Sequence, residues 1–290
     1  MPLHDIDLYA ANARFECEAC GHTYEKKIKP NAKSVQVCER CFKRKAVIIE
    51  RLTCVRPEVE VPRTESSALM KRNLIYSCGA FQKSNEWKRN IEQINGYADI
   101  FNGRRIVIIM TGEGIVDPAT VEAAFTFEAE FIRCTNVPEL REVVGFTEAL
   151  ARLKSEREDE ITFFAHTKGV THDDPVVLDA VRVWRDKMYE LCLHNMELIE
   201  AVLSQFACAG SFQICEPRIP LPLDSMWHYS GTFWWVNHAK LFSKEWYNVH
   251  PSSHGVEAYL GRLFEINETY CLEDSHLDAS ELYTAGTLGR

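Results

Sequence analysis

The chain contains the run Arg105-Ile-Val-Ile-Ile-Met110, in which four consecutive residues are β-branched and apolar, and the run ends at Thr111-Gly112. A short apolar run bounded by a turn signal is typical of a strand that is buried on both faces of a parallel sheet. Two similar runs, Asn73-Leu-Ile-Tyr-Ser-Cys78 and Ile161-Thr-Phe-Phe-Ala165, indicate two further buried strands. The sheet is therefore expected to be mainly parallel.

Segments with apolar residues at helical spacing separate these strands. Helices are predicted over 86–101, from 118, over 139–153 and, as one or two helices, over 177–206; strands are predicted near 131–133, 210–214 and 232–236. Strands that alternate with helices imply an α/β fold, in which a mainly parallel sheet has helices on both faces. In such a Rossmann-like sheet, ligands bind outside the carboxyl ends of the strands.

The richest polar cluster, His166-Thr-Lys168-Gly-Val-Thr-His172-Asp-Asp174, directly follows one of the buried strands. A lysine and two histidines beside a glycine suit the binding of a phosphate or diphosphate. A surface turn with solvated charges is the alternative. The apolar strand that ends in this combination favours a functional loop.

A second cluster, Trp227-His-Tyr-Ser230-Gly-Thr232-Phe-Trp234-Trp235, mixes large aromatic residues with small ones. The small residues Ser230, Gly231 and Thr232 would let a ligand approach the backbone closely. The aromatic residues are equally well explained as core, and at least one of Trp234 and Trp235 is expected to be buried.

Four cysteines near the start of the chain, Cys17, Cys20, Cys38 and Cys41, form two Cys-x-x-Cys pairs separated by 17 residues. This is the ligand number and spacing of a structural tetrahedral zinc site, which keeps no coordination position open for catalysis. Metal binding would supply most of the folding free energy of so short a segment. A rubredoxin-like iron site and a pair of redox-active disulfides are the alternatives, although no thioredoxin-like strand and helix surround these cysteines.

Composition divides the chain into a zinc-ribbon module over 1–50, a linker over 51–70 that contains Pro57 and Pro62, and a larger domain over 71–290. Residues 14–45 hold nine Lys or Arg against four Glu, a balance of +5, whereas the whole chain carries −9, so the remainder carries about −14. The acidic main domain argues against a nucleic-acid enzyme, and the basic ribbon is expected to be a solvated face.

The other seven cysteines are scattered along the chain. The first residues resemble no secretory signal, and no run of 18 apolar residues predicts a transmembrane helix. We therefore expect a cytoplasmic protein whose scattered cysteines act as small core residues.

Several motifs occur in an order that matches a known family. These are His166-Thr-Lys168, Trp184-Arg185, Gly210-Ser211, Ser230-Gly-Thr-Phe-Trp-Trp235 with Asn237 and Leu241, and Glu257 with Arg262 in the segment 255–264. Over residues 71–270 this order resembles that of GT-A-type glycosyltransferases, most closely the rhamnan-synthesis F-type proteins of bacterial polysaccharide assembly. His166-Thr-Lys168 stands where that family has His-x-Lys and where many other GT-A enzymes have Asp-x-Asp. The family's Asn-x-Gly-Arg-Asp is represented by the longer Asn136-Val-Pro-Glu-Leu-Arg141-Glu142.

The resemblance implies an enzyme that moves a sugar from a nucleotide-sugar donor to a saccharide or other hydroxyl acceptor. The donor would be bound at the strand ends and loops by Ser77, Gly79, Thr111, Gly112, Asn136, Arg141, His166, Lys168, Gly231 and Thr232. The departing diphosphate needs fixed cations or Mg²⁺ or Mn²⁺, and we expect Lys168 and His166, with Arg141, to supply the charge. Glu257 is the first choice for the base that deprotonates the acceptor, and Asp173 or Asp174 the second.

Two other classes of function remain compatible with the sequence. One is a catalytically inactive module that binds a sugar or a nucleotide, and the other is a zinc-ribbon adaptor whose larger domain mediates assembly. A fold does not distinguish these classes, because function depends on the site.

Overall fold

The computed structural model describes residues 11–17, 20, 22–28, 35–36, 46–52, 70–215, 225 and 227–272. The chain divides into two compact units, Met1–Val59 and Glu60–Arg290. The boundary between them falls within the predicted linker, most of which lies outside the described residues.

In its described part, the first unit holds an antiparallel sheet in the order β2-β1-β4-β3. Its strands are β1 (Ala11–Cys17), β2 (Thr23–Ile28), β3 (Val35–Gln36) and β4 (Ala46–Leu52). Cys17 at the end of β1 and Gln36 at the end of β3 both pair with Ala46. The strands β1 and β3 therefore end at the same end of this sheet.

The second unit alternates strands with helices, as the sequence predicts. Its strands are β5 (Lys71–Cys78), β6 (Arg105–Thr111), β7 (Glu130–Thr135), β8 (Glu160–His166), β9 (Cys208–Gly210), β10 (Gln213–Cys215), β11 (Trp227–Tyr229), β12 (Trp234–Asn237) and β13 (Thr269–Cys271). Its helices are α1 (Glu86–Gly96), α2 (Pro118–Glu122), α3 (Phe146–Leu153), α4 (Pro175–Leu193), α5 (Met196–Gln205), α6 (His238–Phe242) and α7 (Tyr259–Leu263), with short 3₁₀ helices at Ala98–Ile100, Arg141–Val143 and Ile266–Glu268.

The main sheet of this unit has, among the described residues, seven strands in the order β13-β9-β12-β8-β5-β6-β7. The strand β12 runs antiparallel to both of its neighbours, and the other neighbouring pairs are parallel. The expectation of a mainly parallel, Rossmann-like α/β sheet is confirmed. From the edge strand β7, the strands run backwards in chain order through β6 to β5, and the next strand in the sheet is β8. The direction of the strand order therefore reverses between β5 and β8. The carboxyl ends of these two strands flank the crevice where such sheets bind ligands.

Both faces of the sheet are covered by apolar side chains, because successive residues of a strand point to opposite faces. Trp234 stacks on Phe164 and meets Phe146 of α3 edge to face. Its neighbour Trp235 packs against Phe163 on the other face, where its indole N–H donates to the carbonyl of Cys192 in α4. Both tryptophans are thus core residues. Full burial of a side chain such as Phe163 or Phe164 contributes about 1.5–3 kcal/mol.

The predicted helix over 139–153 is shorter in the structure, because α3 begins only at Phe146. Gly145 precedes it with φ +79°, and a Cβ there would lie 2.8 Å from both Cys134 Sγ and Ile108 Cγ2. The predicted strand over 210–214 is likewise interrupted, because Phe212 has φ +54° and separates β9 from β10. None of the described helices is both long and apolar enough to cross a membrane.

Candidate active site

The ends of β5 and β8 are tied together at the reversal of strand order. The hydroxyl of Thr167 accepts a hydrogen bond from the backbone N–H of Gly79 at 2.9 Å, and Thr167 N–H donates to the carbonyl of Ser77 at 3.0 Å. The buried hydroxyl of Ser77 has no hydrogen-bond partner within the described part of the chain. Two of the predicted donor-binding residues, Ser77 and Gly79, therefore line the β5 side of this crevice, and a polar atom is available there.

Lys168 follows directly, and its backbone is fixed by a helix. Asn90 of α1 accepts from the backbone N–H of Lys168 at 2.8 Å and donates to its carbonyl at 3.0 Å. The ammonium lies over the ring of Trp184 in α4, 4.4 Å from the centroid. No hydrogen bond or ion pair to this ammonium is formed by the residues that the structure describes. The side chain is thus aimed inward at the carboxyl edge of the sheet.

The electrostatic surroundings of Lys168 disfavour its charge. Burial lowers the pKa of Lys168; the carboxylates of Glu257 and Glu142 oppose this shift, and Arg141 adds to it. Burial removes the water that stabilises an ammonium. Without an adjacent anion, the lost hydration energy is not replaced, and the charged form is disfavoured. An anionic ligand would supply the missing partner.

His166, at the end of β8, holds two other segments of the chain. Its Nδ1 lies 3.0 Å from Oε1 of Glu142, and its Nε2 lies 3.0 Å from the carbonyl oxygen of Gly231. Burial by itself would raise the pKa of Glu142, but the charge of His166 and its hydrogen bond outweigh this and lower the pKa to about 2. Both oxygen atoms can accept a hydrogen bond from the ring of His166.

The turn between β11 and β12 has an unusual backbone. Gly231 has φ +89° and Thr232 has φ +63°, in the left-handed region that residues other than glycine seldom occupy. A Cβ on Gly231 would collide with Met188 of α4 and would lie 3.1 Å from Trp184. The close approach that the sequence predicted at Gly231 is made by α4, and Thr232 is buried beside it.

The loop before α3 brings another cation to this edge. Arg141 is exposed, has φ +48° and is close enough for its charge to lower the pKa of Lys168. Asn136 lies one strand away, where its backbone N–H donates to the carbonyl of Thr111 at 2.8 Å. Among the described residues other than its chain neighbours, no atom lies within 4 Å of a Cβ placed on Gly112. The residues Thr111, Gly112 and Asn136 thus lie together at the ends of β6 and β7.

Glu257 lies just before α7, and 24% of its side chain is exposed. The helix cap is Ala258, and Arg262 donates to the carbonyl of Asn248. Among the described side chains, Glu257 forms no ion pair with Arg262. Among the described residues, its ionisable partner is His228, whose Nε2 lies 3.7 Å from Oε1. Burial lowers the pKa of His228, against the attraction of Glu257, so a neutral imidazole lies behind the carboxylate.

The two aspartates of the first cluster have structural contacts. Asp174 caps α4, because its carboxylate accepts from the backbone N–H groups of Val176 and Val177. Asp173 is 73% exposed and pairs with Lys83 at 3.3 Å. Both lie at the start of α4, and neither touches Lys168 or His166. Glu257 is therefore the better-placed of the predicted bases.

Three residues of this site were not identified from sequence. Asn90 interrupts the apolar face of α1, which is a readable signal of a buried polar contact. Glu142 was noted only as part of a longer family motif, and its pairing with His166 has no local sequence signal. His228 lies in an aromatic cluster where its burial could not be distinguished from that of its neighbours.

The cysteine pairs are only partly described. The backbone N–H of Cys20 donates to the carbonyl of Cys17 at 3.2 Å, and Cys17 N–H donates to the carbonyl of His22 at 3.0 Å. Cys38 and Cys41 lie outside the described residues. Within the described residues, no three His, Cys, Asp or Glu side chains are placed to hold one metal ion.

Neither a protein-family model nor a curated protein matches this chain.

Proposed function

We propose that the chain is a GT-A-type glycosyltransferase that moves a sugar from a nucleotide-sugar donor to a saccharide or other hydroxyl acceptor. One observation carries this proposal. Lys168 places an ammonium at the reversal of strand order and, among the described residues, forms no ion pair with a carboxylate; the charges of Glu257 and Glu142 do not offset the effect of burial on its pKa. A diphosphate bound in this crevice would neutralise the charge. The resemblance to the rhamnan-synthesis F-type family, and so to bacterial polysaccharide assembly, supports the same assignment.

The proposed reaction needs stabilisation of the negative charge that develops on the departing diphosphate. Lys168 and Arg141 would supply it, since preorganised cations act most strongly where charge develops and water is excluded. Because the described residues hold no group suited to a metal ion, we derive no step through Mg²⁺ or Mn²⁺. The nucleotide would lie along the ends of β5, β6 and β7, near Ser77, Gly79, Thr111, Gly112 and Asn136.

The acceptor hydroxyl must lose a proton as it attacks the sugar. Glu257 is the proposed base, because its carboxylate is partly exposed and its charge reaches Lys168. A carboxylate beside the acceptor can take that proton directly. His228, buried behind Glu257, would leave the carboxylate ionised without neutralising it.

Binding of pyrophosphate and of a panel of nucleotide sugars by calorimetry tests the proposal, with Lys168→Met as the variant. Removal of a charge-assisted contact should weaken binding by about 1.5–3 kcal/mol. Lys83→Met is the matched control, because Lys83 is exposed and pairs with Asp173. Equal affinities of wild type and Lys168→Met would refute the donor site.

Turnover separates the three classes of function. Release of free nucleotide from a nucleotide sugar supports the transferase, whereas tight binding without turnover supports an inactive binding module. Absence of binding across the panel would leave an adaptor protein. The wild-type chain decides among these outcomes without any variant.

We also propose that the first unit binds structural zinc through Cys17, Cys20, Cys38 and Cys41. The strands β1 and β3 end at the same end of the sheet, on either side of β4, and the second cysteine pair follows Gln36 closely in sequence. Elemental analysis should find about one zinc per chain, consistent with a single four-thiolate site. The double variant Cys38→Ser, Cys41→Ser should lose it, whereas Cys134→Ser, a control in the second unit, should not. Zinc retained in the double variant would contradict this assignment.

A further inference from the structure

His166 is the point where three segments of the second unit meet. It belongs to β8, and its two ring nitrogens contact Glu142 in the loop before α3 and Gly231 in the turn after β11. Lys168 lies two residues further along the chain, and Arg141 is the neighbour of Glu142. Lys168 and Arg141, which would bind a diphosphate, therefore lie on segments that His166 joins.

Both protein contacts of His166 use its polar atoms. With Nδ1 at Glu142 and Nε2 at Gly231, the ring has no N–H left to donate to a phosphate oxygen. This geometry places His166 behind the donor-binding surface, although the sequence predicted that it contacts the donor.

We propose that Glu142 is a positioning residue of the donor site, which holds the ring of His166 through its contact with Nδ1 and thereby fixes Lys168 and Arg141 for the diphosphate. This inference rests on the proposed function in one respect only, namely that the anion is a donor diphosphate. The contact between Glu142 and His166 can be tested without any ligand.

The contact between Glu142 and His166 has a defined direction when the carboxylate is ionised. An ionised Glu142 can only accept, so Nδ1–H of His166 donates to it over the observed 3.0 Å. The charges of His166 and Lys168 both lower the pKa of Glu142, which favours this ionised state.

The backbone supports a constraint at both contacts. Arg141, next to Glu142, and Thr232, next to Gly231, are two of the three described residues other than glycine with positive φ. Such conformations persist only where surrounding contacts hold them. The two residues that His166 contacts, Glu142 and Gly231, are the neighbours of these strained positions. The contacts of His166 are therefore suited to hold the backbone of the site in place.

Histidine NMR on the full-length protein tests the contact between Glu142 and His166. The resonances of His166 are assigned by their loss in His166→Gln. In the wild type we expect an Nδ1–H proton that its bond to Glu142 protects from exchange with solvent. In Glu142→Gln, which keeps the shape but removes the charge, this proton should exchange roughly tenfold faster, because a hydrogen bond to a neutral acceptor is weaker. Glu139→Gln, an exposed change in the same loop, should leave the exchange unchanged.

Calorimetry with inorganic pyrophosphate tests the positioning role on the same proteins. Pyrophosphate should bind Glu142→Gln roughly tenfold more weakly, because the ring of His166 is then held by a weaker bond. Glu142→Asp keeps the charge and should restore most of the affinity, which separates the charge effect from a general loss of structure. A wild-type His166 whose Nδ1–H exchanges freely, or the same exchange in Glu142→Gln, would overturn the proposal. If pyrophosphate binds as expected but no nucleotide sugar is turned over, the transferase proposal fails and the positioning role of Glu142 stands.

Discussion

Lys168 carries a charge that the described part of the fold does not neutralise by contact. Its backbone is held by Asn90, its ammonium lies on Trp184, and burial lowers its pKa. Sites that bind ligands often retain such unfavourable charges, because the ligand supplies the compensation and stability alone would favour an apolar residue. The same residue should therefore oppose folding and support binding.

Lys168→Met should raise the melting temperature while it weakens pyrophosphate binding by about 1.5–3 kcal/mol. Methionine keeps an apolar stem against Trp184 and removes the charge, and relief of about 1 kcal/mol would raise Tm by roughly 2–4 °C. The pKa of Lys168 in the folded protein lies below its usual value of 10.5. The free-energy cost of its buried charge is therefore fully present at neutral pH and decreases as the pH rises toward 10.5. Thermal melts of both proteins between pH 7 and pH 10 should therefore converge. A variant that is less stable at every pH would show that Lys168 has a structural role.

Glu257→Gln should lower turnover about 10²–10⁴-fold and leave donor affinity nearly unchanged. The amide keeps the shape of the carboxylate but cannot accept the acceptor's proton. Single-turnover kinetics, together with calorimetry, separate the chemical step from donor binding. Glu245→Gln, at an exposed position nearby, is the control. An unchanged rate per folded molecule would remove Glu257 from the mechanism.

At the level of elements, α1 and α4 are joined by charged side chains. Arg182 binds Glu86 through two hydrogen bonds, and the buried Arg185 lies 3.7 Å from the same carboxylate. Since α1 carries Asn90 and α4 carries Trp184, this pairing also fixes the two helices that hold Lys168. The pair Trp184-Arg185 matched a family motif in sequence. Trp184 contacts the ammonium of Lys168, and Arg185 contacts Glu86 of α1.

Glu86→Ala should destabilise the second unit by roughly 1–3 kcal/mol, because the buried Arg185 loses one of its two carboxylate neighbours and keeps only Asp186. Hydrogen bonding from Arg182 lowers the pKa of Glu86 below its usual value of 4.5, against the effect of burial. The stabilisation is therefore present above pH 4.5 and is lost as pH falls through the lower folded pKa. Urea unfolding at pH 7 and in acid measures both effects. Glu190→Ala, an exposed partner of Lys187 on α4, should cost less than about 0.5 kcal/mol.

The sequence predicted most elements of the second unit but not where all of them begin. Short apolar runs that end at a turn signal, such as Arg105–Thr111, predict buried strands, because such a strand has both faces covered and carries apolar side chains on each. The start of α3 depends on Gly145, where Cys134 and Ile108 from other strands leave no room for a side chain. The pairing of His166 with Glu142 depends on tertiary structure in the same way. Local patterns thus located Lys168, whereas the partners that shape its site required the fold.

At the level of the whole molecule, the strand order explains why distant residues form one site. The reversal between β5 and β8 opens a crevice beside Lys168, and the antiparallel strand β12 follows the turn that holds Gly231. A mainly parallel sheet could be inferred from the sequence, because its strands alternate with helices. The antiparallel direction of β12 could not, because a buried antiparallel strand has the same apolar pattern as a parallel one.

The two units are expected to fold independently. The second unit has its own apolar core on both faces of the sheet, whereas the first is a four-stranded sheet too small to fold without help. A chain that begins at residue 60 should therefore keep the main unfolding transition and the pyrophosphate affinity of the full protein. A zinc chelator should change hydrogen exchange only in residues 1–59 of the full chain, because metal binding and folding are coupled in such modules. If chelation also lowered the main transition, or if the shortened chain lost pyrophosphate binding, the first unit would have to contribute directly to the stability or the site of the second.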